Sequence, residues 1–109
     1  MNILYPAKIS FNKIDQRYLV SFYDLEEAVT EGETLEEALF NAAEVLTLTL
    51  EGRLDEGLPT PEPTHRTAKN VYYIAPSARV QAALLIRLSR GEHSIAEIAR
   101  ALDSSWPAI

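Results

Sequence analysis

Cysteine is absent from this chain, and glycine, histidine and tryptophan are scarce, at four, two and one residues among 109. Without cysteine there is no disulfide, no thiolate nucleophile and no cysteine-based metal site. No Gly-rich phosphate loop, G-x-S-x-G or H-E-x-x-H run occurs, which removes the commonest nucleotide, hydrolase and zinc-protease signatures. His65 falls in a Pro-rich stretch and His93 in a turn. Neither has a Ser or a second His at useful spacing, so both are expected as exposed loop residues. No apolar stretch approaches the roughly 20 residues of a membrane span, and "MNILYPAKISF" lacks the basic and apolar regions of a signal peptide. A soluble, cytoplasmic protein with no membrane, metal or cofactor partner is the expectation.

What is present is enough for a core. Apolar residues make up 47% of the chain and aromatics 8%, which excludes the composition of a disordered segment. The length suits one compact domain or two very small ones. The net charge of −6 conceals an asymmetry. Residues 1–57 carry four Lys/Arg against twelve Asp/Glu, a net of −8, whereas residues 58–109 carry six against four, a net of +2. Such a split suggests two jobs. The acidic part repels nucleic acid and suits a basic partner; the second part is free to approach phosphates.

Periodicity divides the chain further. Ile3, Tyr5, Ala7, Ile9 and Phe11 alternate with Leu4, Pro6, Lys8 and Ser10, predicting a half-buried strand in which Pro6 marks an edge or a bulge. "NKIDQR" connects it to a second alternating run, Tyr18 to Tyr23, and "AVTEGE" predicts a short third strand ended by Gly32. Thr34 and Glu37 form a T-x-x-E capping box at the start of a helix. At about 100° per residue, Leu35, Ala38, Leu39, Ala42, Leu46, Thr49 and Leu50 share one arc, which predicts the face that covers the sheet. Glu36, Glu37, Glu44 and Glu51 lie opposite, with Phe40 among them and Leu48 at their border.

"EGRLDEGLPTPEPTHRTAKN" follows. Pro59, Pro61 and Pro63 favour an extended, semi-stiff segment. "NVYYIAP" predicts a fourth strand. Residues 77–90 predict a second helix with Val80, Leu84, Leu85 and Leu88 as its stripe and Gly91 at its end. Ser94 and Glu97 make a second capping box, opening a helix through Leu102. Asp103 occupies a tight turn, Ser105 is placed to cap a further helix, and Trp106 to Ile109 would be its first turn. Helix, short turn, helix is the helix-turn-helix arrangement, whose second helix carries base contacts. Only about one turn of that second helix is present, and isolated short helices are marginal in water. Weak or absent base-specific DNA binding by this chain is therefore expected. The competing expectation is an ordinary helical hairpin.

Three other features bear on chemistry. Asp24, Glu31 and Glu33 are paired-carboxylate candidates for Mg²⁺. No third ligand accompanies them at useful spacing, so a solvated acidic surface is expected instead. Phe40 admits two readings: intramolecular cover by the linker or C-terminal helices, or an aromatic anchor for a partner steered by the surrounding acids.

The run "YLVSFYDLEEAVTEGETLEEALFNAAEVL" resembles the HicB antitoxin family. The resemblance rests on Phe22-Tyr23-Asp24-Leu25, on the Thr30-Glu31-Gly32-Glu33-Thr34 turn, and on Glu36-Glu37-Ala38-Leu39-Phe40-Asn41-Ala42. Many members have F-P-D-L-P-G where this chain has Phe22-Tyr23-Asp24-Leu25-Glu26-Glu27. The Pro-rich segment and the terminal helix-turn-helix-like segment look like those of the longer members. The resemblance implies an α+β fold with a partial RNase H-like β-β-β-α-β unit, residues 1–57 plus 70–75. Residues 58–69 would be a linker and 76–109 an incomplete helix-turn-helix domain. It implies a non-enzymatic antitoxin that neutralises a small basic RNA-cleaving HicA toxin, represses its own operon through operator DNA, and works as a homodimer or higher assembly. Phe40, Glu36, Glu37 and Glu44 are the candidate toxin-binding residues; Ser94, Arg100, Ser105 and Trp106 are the candidate DNA-binding residues. The alternatives are a transcriptional regulator acting mainly through the C-terminal motif and a metal-dependent RNase H-like nuclease.

Overall fold

A computed structural model of the chain describes residues 3–88. Two alternating runs form a hairpin: β1, Tyr5–Asn12, and β2, Arg17–Phe22. Asn12 holds the turn between them, its Oδ1 accepting from the backbone N–H of Ile14 at 2.9 Å and of Asp15 at 3.1 Å. β3, Val29–Gly32, lies beside β2, and β4, Val71–Ile74, lies beside β1. The result is a four-stranded antiparallel sheet in the order β3-β2-β1-β4. Tyr5, Ala7, Ile9, Val20, Phe22 and Ile74 are buried on one face. The expected order of three strands, a helix and a fourth strand is the one observed.

Pro6 is a correction. It lies on a central strand and not at an edge. The register explains its tolerance: Pro6 faces β2 at the last rung, where only its carbonyl is used, accepting from Tyr23 N–H at 3.3 Å. The missing N–H forfeits only the return bond to the Tyr23 carbonyl, beyond the end of β2.

α1, Leu35–Glu56, covers the buried face. Thr34 Oγ1 accepts from Glu37 N–H at 3.1 Å, while Glu37 Oε1 accepts from Glu33 N–H at 3.0 Å. The capping residues therefore reach each other's turn as the T-x-x-E pattern predicts, with the return bond one residue earlier than in the usual box. Ala38, Ala42, Leu46 and Leu50 are fully buried, and Leu35, Leu39 and Leu54 pack beside them. The helix runs past Glu51, where the Gly/Pro-rich stretch begins. Gly52 faces open space, so it costs propensity without breaking packing, and Leu54 and Arg53 hold the last turn. Gly57 ends the helix at φ 71°, in the left-handed region glycine adopts freely.

Residues 58–70 contain no helix or strand, yet side chains fix their path. Tyr5 Oη donates to Pro61 O at 2.7 Å. Asp24 accepts from Thr64 N–H and Oγ1 at 3.0 and 2.8 Å. Arg66 lies over the Tyr23 ring at 4.7 Å, and its backbone N–H and C=O both bond to Tyr73 Oη at 2.8 Å. α2, Ala78–Leu88, then returns beside the C-terminal half of α1. Val80, Leu84 and Leu85 join the core that the sheet and α1 form.

Candidate functional site

The outward face of α1 presents every candidate toxin-binding residue. Phe40 is 63% exposed and Leu48, two turns on, 68%. Glu36, Glu37 and Glu44 are exposed on the same side. The described ion pairs lie elsewhere: Arg17 bridges Glu31 and Glu33 at 3.9 and 3.4 Å, and Arg53 grips Glu27 through two 2.8 Å bonds. Glu36, Glu44 and Glu51 have no ion-pair partner among the described residues. An aromatic ring held at the surface among uncompensated carboxylates is a poor device for folding stability and a good one for a cationic partner.

Phe40 also borders a groove of about 530 Å³, with Ala43, Thr47, Leu48, Ala75 and Pro76 along its walls and Glu44 at its rim. The groove exists because the chain turns sharply after β4. Ser77 N–H bonds to Thr47 Oγ1 at 2.9 Å, which pins the start of α2 against the middle of α1. Gln81, buried, donates from Nε2 to Pro76 O at 3.0 Å and holds the elbow from behind. Among the described residues neither residues 58–70 nor α2 buries Phe40; the expected helix from Ser94 to Leu102, the other candidate cover, lies outside them.

The other candidates divide. Asp24 caps residues 58–70 at Thr64, whereas Glu31 and Glu33 share Arg17, so Asp24 serves a structural contact apart from the other two. Among the described residues no group of three or more metal-ligating side chains converges. His65 stacks on Tyr73 with ring centroids 6.2 Å apart, its Nδ1 3.3 Å from Tyr73 Oη. Ser94, Arg100, Ser105 and Trp106 lie outside the described residues, as do His93 and Gly91. Sequence reasoning missed Ala75 and Pro76 as groove walls. They follow a strand, and only the packing of α1 brings them beside Phe40.

Among the described residues three groups are shifted from their ordinary values, Tyr5, Glu27 and its partner Arg53, and none lies at the groove. Burial first, then the charges of Asp24 and Glu62, push the Tyr5 phenol up to about 12. The Arg53 guanidinium holds the Glu27 carboxyl down at about 2. All three fasten residues 58–70 or the loop before β3 to the core. No helix among the described residues is long and apolar enough to cross a membrane.

The described residues thus form a mixed α/β domain with an apolar groove bordered by exposed carboxylates. Residues 4–82 match the family model for the HicB_like antitoxin of bacterial toxin–antitoxin systems, and the chain belongs to that family. It is also 40% identical over 63 residues to an uncharacterized 14.9 kDa protein from the rep–hol intergenic region of Haemophilus phage HP1, strain HP1c1. That match covers 56% of this chain and 46% of the phage protein, so the chain aligns with about half the length of its relative.

Proposed function

We propose that this chain neutralises a small, basic, RNA-cleaving toxin of the HicA type by covering the toxin's RNA-binding surface. The observation that carries the proposal is the outward face of α1, where Phe40 stands exposed among Glu36, Glu37 and Glu44. An RNA-cleaving protein needs a cationic surface for its substrate. The same cations are attracted to these carboxylates, which raises the rate of encounter, while burial of an aromatic side chain slows dissociation. Neutralisation is then steric and electrostatic, and it requires no chemistry from the antitoxin.

The finer assignments belong to this proposal. The sheet and α1 are taken as a partial RNase H-like unit that performs binding alone, with residues 58–69 as linker and 76–109 as a helix-turn-helix-like segment. Operator DNA would be met through Ser94, Arg100, Ser105 and Trp106, and the protein would act in the cytoplasm as a homodimer or larger assembly. The net charge of +2 over residues 58–109 supports that division of labour.

The test is affinity for the toxin encoded beside this chain. Phe40→Ala combined with Glu44→Lys is expected to weaken binding at least tenfold, since truncating an aromatic anchor typically costs about 2 kcal/mol or more. The melting temperature should stay unchanged, because both side chains are exposed. Unchanged affinity would sink the proposal.

A further inference from the structure

The two edges of the sheet are treated differently. At the β3 edge, Asn41 Nδ2 reaches from α1 to donate to Glu31 O at 2.8 Å, and Glu37 takes the Glu33 N–H just beyond. Arg17 adds its bridge to Glu31 and Glu33. The Glu31 carbonyl and the Glu33 N–H, which would otherwise invite another strand, are thus occupied from α1, and the edge is charged; the Glu31 N–H and the Val29 carbonyl stay without a partner among the described residues.

The β4 edge has none of this. Ile9 N–H donates to Asn70 O at 3.0 Å, which fixes the phase of the β1–β4 ladder. In that phase Tyr72 and Ile74 bond to β1, while Val71 and Tyr73 direct their backbone groups outward. The Val71 N–H is used locally, by Ala68 O at 3.2 Å. The Val71 carbonyl and both backbone groups of Tyr73 have no partner among the described residues. Ala75 and Pro76, immediately after this strand, form a wall of the groove that holds Phe40 and Leu48.

We propose that the toxin adds an extended strand to β4, with one apolar side chain of that strand seated in the groove between α1 and the β4–α2 elbow. Main-chain bonds to Tyr73 and Val71 give such a strand its hold, and alternation of its side chains delivers every second residue to the α1 side. Charge selects the occupant. Glu44 stands at the groove rim, and Glu36 and Glu37 lie up the same helix face, so the strand carries Lys or Arg beside its apolar residue. A second copy of this chain is disfavoured by the same carboxylates, which it would bring against its own net charge of −6.

This inference rests on the toxin-binding reading above, and its experiment separates the two. Amide hydrogen exchange is measured on the full chain, free and saturated with the toxin encoded beside it. The Tyr73 amide should exchange quickly in the free chain and at least a hundredfold more slowly in the complex. Of the backbone groups Tyr73→Pro removes only an outward N–H, though the ring and its Oη bonds to Arg66 go with it; it should weaken toxin binding at least tenfold. Tyr73→Phe keeps that N–H and should bind as the parent does, which controls for loss of the Oη bonds to Arg66. If the toxin binds while the Tyr73 amide stays unprotected, strand addition is overturned and the α1 reading survives. If no complex forms, both fall. Protection of Tyr73 in the chain alone, rising with its concentration, would give the edge to a second copy and overturn the proposal.

Discussion

Gly32 sits where α1 comes closest to β3. A Cβ added there would lie 2.5 Å from Ala38 N and 2.8 Å from Ala38 Cα. Both are backbone atoms of a capped helix, so no side-chain rotation relieves the clash. The glycine in the T-E-G-E-T turn is thus a packing requirement, and Ala38 opposite is small for the same reason. Gly32→Ala is expected to destabilise the fold by about 1–3 kcal/mol, the usual range for overpacking. In a domain of this size that lowers the melting temperature by roughly 4–8 °C per kcal/mol. A thermal melt within about one degree of the parent would contradict the contact.

At the scale of elements, α1 does three separate things with its three faces. Its apolar arc seals the sheet, Asn41 on its flank closes the β3 edge, and its outward side carries Phe40 and the acids. The Asn41 bond is exposed, so its net worth is about 1 kcal/mol. Its larger effect concerns association. Asn41→Ala should unfold at slightly lower urea concentration and, with the Glu31 carbonyl released, self-associate more at high concentration. Analytical ultracentrifugation of the variant checks this; identical sedimentation at all concentrations would show that the edge is closed by charge alone. The position of Asn41 within the E-E-A-x-x-N-A pattern is legible in sequence. Its task is not, because Glu31 lies across a turn and its carbonyl direction depends on the β2–β3 register.

Across the whole molecule, the linker is held to the sheet at four points, by Tyr5, Asp24, Tyr23 and Tyr73. Arg53 adds a fifth from the end of α1, gripping Glu27 and the Pro59 carbonyl together. Glu27 is held at about 2, below its ordinary 4.5. A lowered carboxylate value means stability that is present above pH 4.5 and is lost as the pH falls towards 2. The Glu27 side chain is about half exposed, with a relative accessibility of 48%, so the contribution is screened to the order of 1 kcal/mol or less. Glu27→Gln should therefore be less stable than the parent at pH 7 and indistinguishable from it near pH 2. Urea unfolding at pH 7, 4 and 2.5 measures the gap. A gap that stays constant over this range would place its source elsewhere.

The sequence alone determined the strands, the capped helix, the buried arc of α1 and the family, because each is written in local spacing or in a contiguous motif. It also marked Phe40 as out of place, since an aromatic among acids violates helical patterning wherever the helix sits. It misjudged Pro6, whose tolerance depends on which strand faces it and at which rung. It could not assemble the groove, whose walls come from residues about 30 positions apart. Nor could it distinguish the two sheet edges, because backbone direction follows from register and closure follows from a neighbouring helix. Those were decided by the tertiary structure, where Ser77 meets Thr47 and Asn41 meets Glu31. Side-chain periodicity is a property of each segment, whereas an unpaired backbone group belongs to whatever packs beside it.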